Sequence, residues 1–123
     1  MGDRTHASRL RQQIARAAAE LSSIQEGLLR PRQMIAASVI ERHLGTHNQK
    51  RSSSAFYLSY AERGRTQLVY VPKAKLERVR AQVAAWQEYR AGVRRWRQVA
   101  ATMLKLLGEL GEAQRHDPRE GRG

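Results

Sequence analysis

Two histidines, His43 and His47, stand four residues apart. On a helix that spacing would put two imidazoles on one face, as a zinc site needs. Gly45 lies between them, the segment reads as loop, and no general-base Glu of the metalloprotease pattern separates them. A third ligand would have to come from Glu41 or elsewhere, so two solvent-exposed histidines are the better account and no metal is expected. Ser52, Ser53 and Ser54 offer hydroxyls, but the pattern supplies no base or orienting acid to activate one. Gly64 and Gly92 stand alone, which leaves no Walker or dinucleotide phosphate cradle. The sequence has no Cys, and so no thiolate nucleophile, thiolate metal site or disulfide. No catalytic residue and no cofactor are expected, and the chain reads as a binder rather than an enzyme.

The basic residues carry the remaining chemistry. Lys and Arg total 23 against 11 acidic residues, a formal net charge of +12 in 123 residues. Such an excess attracts polyanions. Arg dominates, and its planar fork matches phosphate oxygens; GC-rich codons would also favour Arg over Lys, but they do not explain the net charge. Lys50, Arg51, Arg63, Arg65, Lys73 and Lys75 cluster around an expected hairpin. Arg78, Arg80, Arg90, Arg94, Arg95 and Arg97 follow on an expected helix. Arg90, Arg94 and Arg97 step by four and three and share a face, where mutual repulsion would be relieved by phosphates. The plain alternative is a solvated face that only keeps the protein soluble. Of the aromatics, Trp86, Tyr89 and Trp96 fall on an apolar stripe and read as core. Tyr57 and Tyr70 are the best candidates for stacking on bases. The candidate nucleic-acid contacts are therefore Lys50, Arg51, Arg63, Arg65, Lys73, Lys75, Arg90, Arg94, Arg97, Tyr57 and Tyr70.

These residues need elements to position them. Leu10, Ile14, Ala17, Leu21, Ile24 and Leu28 form a heptad seam within a helix from about 7 to 29, ended by Pro31. β-Branched residues suggest a short strand at about 38–43, and a polar, Ser-rich loop follows. Residues 55–60 and 66–71 read as a strand pair, with Gly64 supplying the positive φ of the turn. Phe56, Leu58 and Tyr60 share one face of the first, and Gln67, Val69 and Val71 share one face of the second. After Pro72 a helix over 73–112 carries an apolar stripe through Leu76, Val79, Val83, Trp86, Tyr89, Val93, Trp96, Ala100, Met103, Leu107 and Leu110. Gly92 is a candidate kink. Residues 1–112 read as one domain and 113–123 as a disordered tail.

Residues 36–99 resemble a family of small, uncharacterised bacterial and archaeal proteins, a domain of unknown function. The resemblance rests on Ser38-Val39-Ile40-Glu41-Arg42, Phe56-Tyr57-Leu58-Ser59-Tyr60, Gly64-Arg65-Thr66 and Tyr70-Val71-Pro72-Lys73, with Val79, Tyr89 and Arg90 on the helix. It implies a strand–hairpin–helix unit and no activity. Members look as though they occur beside mobile-element genes, which favours a nucleic-acid role. The family's Cys-bearing loop is here Gly45 to Arg51, without a thiol.

The expected fold is α+β. An N-terminal helix and a long C-terminal helix, the latter with a candidate kink near Gly92, pack as an antiparallel hairpin, and a small antiparallel β-meander caps one end. The expected function is nucleic-acid binding through phosphate contacts, with DNA ahead of RNA. The alternative is a protein–protein module in which the surplus helix stripe forms a homodimer or docks a larger protein. The start lacks a signal-peptide apolar run and no stretch is long enough to span a bilayer, so the expectation is a soluble cytoplasmic protein with no membrane partner.

Overall fold

The computed structural model describes residues 2–44 and 53–119. The elements run α1 (Gly2–Leu29), β1 (Ser38–Leu44), β2 (Ser53–Glu62), β3 (Arg65–Val71) and α2 (Lys73–Gln114). The fold is α+β, with two packed helices and a three-stranded antiparallel sheet of order β1-β2-β3. The chain divides into two compact units, one of Met1–Arg30 with Ala91–Gly123, the other of Pro31–Arg90.

In the helical unit, α1 and the last part of α2 run antiparallel. Leu28 lies against Gly92, Glu20 meets Arg95, and Arg11 donates to Gln114. The heptad seam of α1 is the buried face: Ala7, Leu10 and Ala17 are buried, and Ile14, Leu21, Ile24 and Leu28 are half-buried. Burying a Leu such as Leu10 contributes about 1.5–3 kcal/mol. The helix begins at Gly2, ahead of the apolar pattern, because that pattern marks only the turns that face the partner.

The facing row of α2 differs from the expected stripe. Val99 is buried and Val93, Met103, Leu106 and Leu110 are half-buried, whereas Trp96 and Leu107 are exposed. Apolar residues here cover about half the helix circumference, and only one edge of that band meets α1. Gly92 does not break α2, which is continuous from Lys73 to Gln114. A Cβ there would stand 2.9 Å from Leu28 Cδ2, so the missing side chain admits a close helix approach. Beyond Gln114, the Asp117 carboxylate accepts a hydrogen bond from the Arg119 backbone N–H at 2.9 Å, in a turn.

In the sheet unit, alternation and pairing sort the side chains onto two faces. Val39, Glu41, Phe56, Leu58, Tyr60, Gln67, Val69 and Val71 occupy the first. The expected face partners, Phe56 with Val71 and Leu58 with Val69, stand directly opposite one another. Val71 is buried, and the Arg80 guanidinium of α2 lies 4.9 Å from the centre of the Phe56 ring. The segment after α1 is strapped along α2. Ile35 N–H donates to the Gln82 carbonyl at 3.1 Å, Gln82 Nε2 donates to Gln33 at 3.0 Å, and Arg32 pairs with Glu88 at 3.0 Å.

The β2–β3 turn is tighter than the sequence suggests. Glu62 pairs with Arg65, which leaves a two-residue loop, and both Arg63 (φ 52°) and Gly64 (φ 77°) are left-handed. Two positive φ values in succession match the twist of the flanking strands. Gly64 adopts this at no steric cost; Arg63 does not.

Candidate nucleic-acid interface

The second face of the sheet carries Ser38, Ile40 and Arg42 on β1, Ala55, Tyr57, Ser59 and Ala61 on β2, and Thr66, Leu68 and Tyr70 on β3. It has a cation and no carboxylate, because alternation sends Glu41 and Glu62 to the other side. Tyr57 and Tyr70 stand directly opposite in the register. Their ring centroids are 5.8 Å apart with planes at 69°, an edge-to-face pair. Tyr70 is 57% exposed and Leu68 beside it is 38% exposed, large values for residues on a strand. The Arg42 guanidinium lies 5.7 Å from the centre of the Tyr57 ring, within cation–π range.

Arg42 is not among the nucleic-acid contacts expected from the sequence. Its place beside Tyr57 follows from the β1–β2 register, which pairs Ile40 with Tyr57 and Arg42 with Ala55. Propensity places β1 but does not set that register, so only the strand's own alternation was available as a signal.

The other candidates separate by unit. Arg63 occupies the hairpin tip and Arg65 opens β3 on the first face. Lys73 and Lys75 lie in the first turn of α2, which holds no acidic residue. From Arg63 to Lys75 the chain has four cations and no carboxylate. The positive end of the helix dipole opposes both lysines, and an anion there would offset that cost. Arg90 belongs to the sheet unit, whereas Arg94 and Arg97 belong to the helical unit; all three are exposed. Lys50 and Arg51, like His47 and Ser52, lie outside the described residues.

Ion pairing engages four of the described arginines. Arg32, Arg95, Arg115 and Arg119 pair with Glu88, Glu20, Glu112 and Asp117. Among the described residues, Arg63, Arg65, Lys73, Lys75, Arg90, Arg94 and Arg97 make no ion pair. Arg80 and Arg95, which the sequence places with the helix cations, are engaged with Phe56 and Glu20. His43 Nδ1 lies 3.3 Å from Ser54 Oγ, and no cluster of three metal-ligating side chains occurs among the described residues. No helix among them is long and apolar enough to cross a membrane.

No protein-family model, curated protein or solved structure matches this chain.

Proposed function

We propose that the chain is a cytoplasmic nucleic-acid-binding accessory protein that holds its target mainly by phosphate contacts. The observation that carries this reading is a local excess of charge: from Arg63 to Lys75 there are four cations and no acidic residue, and none of the four makes an ion pair among the described residues. Unneutralised guanidinium and ammonium groups bind phosphate with release of condensed counterions, so affinity falls steeply as salt rises. The left-handed Arg63 supports the same reading. A hairpin tip with this geometry favours Asn or Gly, and strain accepted by an Arg points to a role for its side chain.

Fluorescence anisotropy with a labelled short duplex and a labelled single strand, each at low and raised salt, tests the proposal. Binding at low salt that weakens sharply on raising it is the expected result. Absence of binding to both at low salt overturns it.

A second reading has its own observation. Trp96, Leu104 and Leu107 are 37%, 71% and 45% exposed on α2 of the helical unit, an uncovered apolar band beside the buried seam. Such a band suits self-association or a protein partner. Light scattering across a concentration series checks it: a rise in mass that Leu104→Glu abolishes supports a homodimer, and a constant monomer mass counts against one.

A further inference from the structure

We infer that the Arg42–Tyr57–Tyr70 face of the sheet is a stacking platform for an unpaired nucleic-acid strand, an inference that rests on the nucleic-acid reading above and names the form of the ligand. Three observations on that face converge. Tyr70 presents an aromatic ring at 57% exposure on an edge strand, held edge-to-face by Tyr57 rather than buried under another element. Arg42 places a permanent positive charge beside the pair. The register excludes every carboxylate from this face, leaving hydroxyls at Ser38, Ser59 and Thr66 between the apolar side chains. The surface is thus complementary to a phosphate chain that also offers flat apolar rings.

Duplex bases already stack on one another and expose no ring face to a flat surface. Bases of a single strand do, and aromatic residues on an open sheet are a recurrent means of holding them. Arg63 at the hairpin tip extends the track, whereas Arg65 lies on the opposite face of the sheet. Tyr70 lies five residues from Arg65, the first residue of β3. At about 3.3 Å per residue the separation is roughly 17 Å. That is the length of about five stacked nucleotides, so a twelve-nucleotide probe covers the platform and the hairpin tip together.

The test uses the full chain with labelled twelve-nucleotide thymidine DNA, twelve-nucleotide uridine RNA and a twelve-base-pair duplex, by anisotropy over a series from low to physiological salt. Wild type is expected to bind a single strand more tightly than the duplex. Tyr70→Ala should weaken single-strand binding about tenfold, the order expected for one stacked base. It should leave duplex affinity and the salt dependence unchanged, since stacking releases no counterions. Tyr70→Phe, which keeps the ring, should restore the lost affinity. Arg42→Gln should instead reduce the salt slope on single strands by about 0.7. Loss with either the DNA or the RNA strand supports the platform, and the larger loss identifies the preferred sugar. Duplex binding as tight as single-strand binding, or single-strand binding that ignores Tyr70→Ala, overturns the platform while the phosphate-binding role stands. Failure of the wild-type chain to bind any of the three at low salt removes that role as well. Far-UV circular dichroism of each variant confirms that the exposed substitution leaves the fold intact.

Discussion

Gly92 of α2 meets Leu28 of α1 so closely that a Cβ on the glycine would stand 2.9 Å from Leu28 Cδ2. The glycine makes room for a close approach of two helices and is not a hinge, since α2 continues through it. Gly108, in the same helix, has nothing within 4 Å of its missing Cβ. Gly108→Ala should therefore stabilise by about 1 kcal/mol, the helix-propensity difference, and raise the melting temperature by roughly 3–5 °C. Gly92→Ala should gain much less, because the end of Leu28 must move, and Gly92→Leu should lower the melting temperature. Thermal unfolding followed by circular dichroism compares the three.

Leu10 and Leu104 test which apolar residues hold the helical unit together. Leu10 is 2% exposed and Leu104 is 71% exposed. Leu10→Ala should cost about 2–5 kcal/mol, whereas Leu104→Ala should fall within about 0.5 kcal/mol of wild type. Urea unfolding of the two variants under dilute conditions measures both.

Arg63 sets stability against binding. Replacing it with Asn puts a residue suited to φ 52° at the turn. The hairpin should gain about 1 kcal/mol by relief of left-handed strain. The same change removes a phosphate contact, so the slope of binding against salt should fall by about one. A variant that melts higher and binds less steeply is the expected outcome; melting curves and anisotropy titrations report the two halves.

Arg95 and Arg97 differ in pairing although both are exposed. Arg95 Nε donates to Glu20 at 2.8 Å, while Arg97 has no ion-pair partner among the described residues. Arg97→Gln should weaken nucleic-acid binding and reduce its salt slope by about one. Arg95→Gln should change binding little and cost less than about 1 kcal/mol of stability, as an exposed ion pair does. Parallel salt titrations of the two variants separate paired from unpaired cations.

The parts of the fold that sequence reasoning reached are those governed by local periodicity. The heptad row of α1 identified its buried face because few other large apolar residues compete on that helix. Alternation put Tyr57 and Tyr70 forward, and the register joined them. On α2 the periodicity was ambiguous, because Trp96, Val99, Ala100, Met103, Leu104, Leu106 and Leu107 all fit three-and-four spacing. The choice of Val99 and Leu106 over Trp96 and Leu107 is made by where α1 lies, which is a tertiary fact. Arg42 was hidden for a related reason: its neighbour in space is set by pairing between β1 and β2. The left-handed Arg63 contradicts its own propensity, so a reading from residue preferences assigned the positive φ to Gly64 alone.

The most direct measurement is the slope of log affinity against log salt for wild type and for a variant with Arg63, Arg65, Lys73 and Lys75 all changed to Gln. Each phosphate contact contributes about 0.9 to that slope on a duplex and about 0.7 on a single strand. The account predicts a steep wild-type slope that falls by roughly three in the variant. A variant that binds with the wild-type slope would contradict it.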